Sequence, residues 1–76
     1  MVHAFVMIKT AAGSSEELVD KIRTFGRVTD AHVVAGEYDV IAEVAVDEVY
    51  EVMETVSAEI RSLEGISDTK TYISLR

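Results

Sequence analysis

The sequence predicts an α+β fold in which two helices cover one face of a four-stranded antiparallel sheet. Three observations lead there. Runs rich in β-forming residues occur at 2–9, 28–35, 39–46 and 66–75. Between the first and second runs, and again between the third and fourth, apolar residues recur at the spacing of one helix face. The second and third runs are separated by a turn at Gly36-Glu37, so they pair as a hairpin.

The first strand, Val2 to Lys9, places Val2, Ala4, Val6 and Ile8 on one side and His3, Phe5 and Met7 on the other. Both sides are largely apolar, as in a strand covered on both faces. Thr10 to Gly13 form a loop. Ser14 and Glu17 have capping-box spacing, and Leu18, Val19, Ile22 and Phe25 give the first helix its apolar stripe. Gly26 is the expected left-handed stop. The second strand covers Val28 to Ala35 and the third Asp39 to Val46. Asp47 is the expected cap of the second helix, whose stripe is Val49, Val52, Met53, Val56, Ile60 and Leu63. Gly65 ends it, and the last strand lies within Ile66 to Leu75.

Gly at the first central position of a two-residue loop predicts a type II′ turn, which needs a positive φ at Gly36. In that register Val33 faces Val40, Ala31 faces Ala42, His32 faces Ile41 and Thr29 faces Val44. It also sets Asp30 against Glu43, an unfavourable like-charge pair that argues for a longer loop and a slipped register. The β-α-β-β-α-β order with short connections is the ferredoxin-like split βαβ arrangement, with strands 1 and 3 central. A single domain over 1–76 is expected, without a helix-turn-helix, because the first strand begins at Val2.

Composition limits the function classes. The chain of 76 residues has no cysteine, so disulfides and thiolate metal sites are excluded. Its formal charge is −7, from 14 acidic and 7 basic residues, which opposes binding to phosphate backbones. No apolar run reaches the length of about 18 residues needed for a membrane span, and no secretory signal opens the chain. A cytoplasmic location is expected. A chain this small buries only about 60% of its unfolded surface, so oligomerisation is the first source of extra stability to consider. The outer sheet face, with His3, Phe5, Met7, Ile41 and either Tyr72 or Ile73, would expose a large apolar patch. Packing it on a second copy gives an isologous dimer.

Signals for catalysis are weak. His3 and His32 are the only histidines and show no ligand spacing. His32 lies beside Asp30 and Glu43 on the outer face, where a packed interface histidine outweighs a metal ligand or general base. No serine lies in a nucleophile elbow and no glycine-rich phosphate loop is present. The hairpin tip is more suggestive. A bare backbone at Gly36, a phenol at Tyr38 and a carboxylate at Asp39 could meet an amino-acid-like ligand, since a carboxylate accepts from an ammonium and an amide donates to a carboxylate.

Three stretches resemble one family. The hairpin from Val33 to Ile41, the opening from Val2 to Ile8 and the ending from Gly65 to Leu75 resemble the RAM domain, the amino-acid-binding C-terminal domain of Lrp/AsnC-type transcription regulators. The most specific parts are the Gly-x-Tyr-Asp turn at Gly36 and the Thr-x-Thr at Thr69. The resemblance implies sheet-to-sheet dimers and higher oligomers that bind small effectors, typically amino acids, near contacts between dimers. It carries Gly36, Tyr38 and Asp39 onto the hairpin lining that contact, and Thr69 and Thr71 onto the last-strand motif. It implies no catalytic residue, metal or cofactor. With no helix-turn-helix in view, the chain is similar to stand-alone RAM proteins, which would sense a ligand or co-assemble with full-length regulators without contacting DNA. Two alternatives stay open: a small dimeric α+β-barrel enzyme of monooxygenase or isomerase type, and a purely structural assembly subunit.

Overall fold

The computed structural model describes residues 1–76. The elements are β1 (Val2–Thr10), α1 (Ser15–Ile22), β2 (Val28–Val33), β3 (Val40–Val46), α2 (Val49–Glu54, continued by a π-helical segment Thr55–Ile60) and β4 (Ile66–Ile73). The antiparallel sheet has the order β2-β3-β1-β4, so the two most apolar strands are central, as expected.

Alternation builds the core. Ala4, Val6 and Ile8 of β1 and Val40, Ala42, Val44 and Val46 of β3 point to one face and are buried. Leu18, Val19 and Ile22 of α1 and Val52, Val56 and Ile60 of the second helix close over that face. The helices pack mainly on β2 and β3. The inner side chains of β4, Thr69, Thr71 and Ile73, therefore stay half-buried.

Several local expectations are corrected. The Ser14 hydroxyl does not cap α1, so the capping box with Glu17 is not formed. The helix stops after Ile22, and Gly26 has no positive φ. Instead the Thr24 hydroxyl donates to the Lys21 carbonyl at 2.6 Å and the Phe25 amide to the Ile22 carbonyl at 3.1 Å. Glu48 rather than Asp47 caps α2, and its amide donates to Glu51 Oε1 at 2.9 Å. Val49 and Met53, expected in the core, are 52% and 53% exposed. The stripe is wider than the arc the sheet can cover, and Thr55 is buried in their place.

The π-helical segment follows from Thr55 and Arg27. The Thr55 hydroxyl donates back to the Glu51 carbonyl at 2.8 Å, a contact that loosens a helix ladder. Arg27 Nη1 reaches the same carbonyl at 3.4 Å and Glu54 Oε1 at 3.0 Å. The ladder then continues one residue wider, with the Arg61 amide donating to the Val56 carbonyl at 2.8 Å. The hydrogen bond to Glu54 holds the Arg27 guanidinium above its ordinary pKa, against the opposing effect of burial, and the charges of Glu54, Glu51 and Glu59 add to the rise.

Gly65, expected at the end of the second helix, lies beyond it: that helix stops at Ile60 with Arg61 as its C-cap, and Gly65 instead takes its positive φ in the turn before β4. Its φ is +99°, and an added Cβ would lie 3.3 Å from Leu18 Cδ1. Gly26 has neither constraint. Gly65→Ala should therefore cost about 1–3 kcal/mol, whereas Gly26→Ala should be neutral or stabilising by up to about 1 kcal/mol. Thermal unfolding of the two variants checks this pair.

Candidate effector site at the hairpin and the last strand

The hairpin keeps the register of a two-residue turn without its geometry. Val33 faces Val40, Ala31 faces Ala42 and His32 faces Ile41, while the expected slip does not occur. Gly36, however, has no positive φ, so the type II′ turn is replaced by a loop over residues 34–39. The loop is closed by the Val34 amide donating to the Asp39 carbonyl at 2.9 Å. A bulge at Thr29 makes Val28, not Thr29, the residue opposite Val44.

The Asp30–Glu43 pair that argued against this register is present and is bridged. His32 Nε2 lies 3.2 Å from Asp30 Oδ2 and 3.3 Å from Glu43 Oε2. Residues two apart share a strand face, so His32 sits beside Asp30 and diagonally across from Glu43. The three side chains supply ligand atoms within 4.8 Å of one another, a donor set of one imidazole and two carboxylates. The imidazole nitrogen lies within hydrogen-bond reach of both carboxylates across the strand pair.

Asp39 fastens the hairpin to β1. Its amide donates to the Ile8 carbonyl at 2.9 Å, and its Oδ2 accepts from the Thr10 amide at 2.9 Å and the Thr10 hydroxyl at 3.4 Å. Oδ1 is left for another donor. Beside it the Lys9 ammonium stands 5.6 Å from the centroid of the half-buried Tyr38 ring, within cation–π range. Gly36 is exposed, with nothing within 4 Å of an added Cβ. Thr10 and Lys9 were not singled out from the sequence. Nothing in their spacing marks them, because both contacts arise from chain crossing rather than from local pattern.

Thr69 and Thr71 lie at the same end of the sheet but on the far side of β1. Thr69 faces Ile8 and Thr71 faces Val6. The backbones of Asp39 and Thr69 therefore flank β1 from opposite sides, about 10 Å apart at ordinary strand spacing. Gly36, Tyr38 and Asp39 form one group, and Thr69 and Thr71 another. A polar cleft of about 380 Å³ near the start of α1, lined by Ser14, Glu17, Lys21 and Glu64 among others, contains none of these five residues.

Comparison with known proteins assigns this fold to a family. Residues 3–76 match the Lrp/AsnC ligand binding domain. The chain belongs to the Lrp/AsnC ligand-binding domain family. A Pyrococcus furiosus protein named as an uncharacterised HTH-type transcriptional regulator is 31% identical over 74 residues, covering 93% of this chain and 49% of its own length. This chain thus spans about half of that curated relative. The crystal structure of TTHA0845 from Thermus thermophilus superposes with a TM-score of 0.95 at 33% identity, covering 100% of this chain and 95% of that one. A regulator from Neisseria meningitidis, NMB0573, solved as an L-Met complex, shares the fold with a TM-score of 0.86 at 18% identity, covering 99% of this chain and 50% of that one. The domain is thus one of transcription regulators, and none of its helices is long and apolar enough to cross a membrane.

Asp39→Ala should leave the Thr10 amide without its acceptor and loosen the hairpin from β1. The expected cost is about 1–3 kcal/mol, read as a lowered unfolding midpoint in urea.

Proposed function

We propose that this chain binds an amino acid as a small effector, assembles through its sheet, and modulates transcription by co-assembling with regulators of its family, without binding DNA itself. The observation that carries the reading is the match of residues 3–76 to a ligand-binding domain of transcription regulators, one of which is a complex with L-Met. Gly36, Tyr38, Asp39, Thr69 and Thr71 are the proposed contacts. Asp39 Oδ1 would accept from the ligand ammonium, while the Gly36 amide and the threonine hydroxyls would hold its carboxylate. The backbones of Asp39 and Thr69 lie on opposite sides of β1, about 10 Å apart, which supports a site shared between copies rather than closed within one chain.

Assembly has its own support. Phe5 and Tyr72 face each other on the outer side of the sheet and are 39% and 54% exposed, with Met7 and Ile41 beside them. The structure selects Tyr72, not Ile73, for this face, since Ile73 is level with the inward-pointing Ala4. A second copy packed face to face would cover this patch. A charge of −7 favours neither duplex DNA nor RNA as a direct partner.

Calorimetric titration with the free amino acids tests the effector. Asp39→Asn should weaken the best binder about ten-fold or more, the loss of one charge-assisted bond, while the unfolding midpoint and oligomeric state hold. Equal affinity in the variant removes Asp39 from the site. Phe5→Lys should dissociate or unfold the assembly in sedimentation, and an unchanged mass with unchanged melting would exclude sheet-to-sheet packing. In DNA anisotropy the chain alone should give no salt-sensitive micromolar binding.

A further inference from the structure

The outer face of the β2–β3 pair gathers three side chains outside the proposed effector contacts: Asp30, His32 and Glu43. A β-bulge brings them together. Val28 and Ala31 are both buried, although strict alternation would put residues three apart on opposite faces. The register shift between Val28 and Asp30 absorbs the extra residue, so Asp30 turns to the outer face with His32. There Asp30 stands opposite Glu43, and His32 lies two residues along the same strand.

The spacing of these groups is that of metal ligands. His32 Nε2 is 3.2 Å from Asp30 Oδ2 and 3.3 Å from Glu43 Oε2, and the three atoms lie within 4.8 Å of one another. Nitrogen and oxygen ligands about 2.1 Å from a tetrahedral zinc ion are about 3.4 Å apart. Two edges of the triangle already have that length, and rotation of the half-buried Glu43 carboxylate closes the third. Hydrogen bonding alone accounts for the arrangement less well, because Nε2 has at most one proton for two carboxylate oxygens.

The ligands are also braced from behind. Asp30 Oδ1 accepts from the Ala31 amide at 2.9 Å, which leaves Oδ2 turned to the imidazole. The Thr29 hydroxyl donates to the Glu43 carbonyl at 3.2 Å and ties the bulge to the opposite strand. Outer contacts of this kind orient metal ligands. Neither carboxylate has a Lys or Arg partner, so only the imidazole stands between two like charges held opposite each other.

We propose that Asp30, His32 and Glu43 bind one divalent transition-metal ion, Zn²⁺ being the best fit, through Oδ2, Nε2 and Oε2. The His32 ring then carries its proton on Nδ1 and gives the Nε2 lone pair to the metal. One imidazole with two carboxylates favours Zn²⁺ or Co²⁺ over Mg²⁺, which prefers oxygen ligands and keeps its waters. Three protein ligands leave a fourth tetrahedral position for water or the carboxylate of a small ligand. The ion would join β2 to β3 and stabilise the folded chain by mass action. None of Gly36, Tyr38, Asp39, Thr69 and Thr71 belongs to the set, so the metal site is independent of the amino-acid effector.

Zinc chloride titrated into the full chain, without any amino acid, tests the site. One ion should bind per chain, and the melting temperature should rise with zinc concentration. The chain has only two histidines, so ring-nitrogen NMR separates them: the His32 Nε2 resonance should move and the His3 resonances should not. His32→Gln and Glu43→Gln should each weaken binding about a hundred-fold or more, since losing even an outer contact costs about 10–100-fold. His3→Ala should bind as the parent does, and circular dichroism checks that each variant folds. Absence of saturable binding, zinc binding that leaves the His32 ring unmoved, or Mg²⁺ binding as tightly as Zn²⁺ overturns the proposal. These three readouts use the unaltered chain and decide the matter even if a variant fails to fold.

Discussion

A four-stranded sheet with helices enough for one face is the constraint on which this molecule depends. Ala4, Val6 and Ile8 on β1 and Val40, Ala42 and Val44 on β3 are buried because α1 and the second helix lie over them. Those helices are short, 8 residues in α1 and 12 across α2 and its π-helical continuation (6 and 6). They reach β2 and β3 and leave the inner side of β4 half open, while the outer face has no cover in the chain at all. Only 16 of 76 residues are buried, so the apolar outer face is the surface from which further stability can come.

Polar side chains set the details that burial leaves undetermined. His32 stands between two carboxylates that would otherwise repel across the β2–β3 pair. Asp39 takes both polar groups of Thr10 and so fixes where the hairpin leaves the sheet. Arg27 and Thr55 meet at the Glu51 carbonyl, where the second helix widens. Each joins residues distant in sequence, and each gives a conformation that apolar packing alone would not distinguish from its neighbours. Asp39 is thereby a structural tie made through one carboxylate oxygen, Oδ2.

The division of the five candidate site residues into two groups bears on how a regulator domain of this family could respond to a small molecule. The carboxylate group lies beyond β1 on one side and the hydroxyl group on the other. An effector that needs both is best met where copies adjoin, and binding there stabilises the assembled state over the separate one by mass action. Ligand sensing and oligomerisation then become one equilibrium rather than two linked events.

The order of elements, the central place of β1 and β3, the buried alternation and the Val33–Val40 register follow from the sequence, because strand and helix periodicities are local and strong. The family and the residues of its motifs are legible as well, in the Gly36 turn and the Thr69 repeat. Tertiary structure alone decided what depends on a second segment. The charge on Glu43 argued against a register that the structure nevertheless adopts, with His32 placed between the two carboxylates. Gly36 carries the sequence of a tight turn, yet Asp39 binding to Thr10 holds a wider loop. Val49 and Met53 continue an apolar stripe, but the sheet beneath is too narrow to cover them. A one-dimensional pattern states which side chains avoid water; which of them find cover, and which carboxylate finds a donor, is settled by the strands that happen to lie beside them.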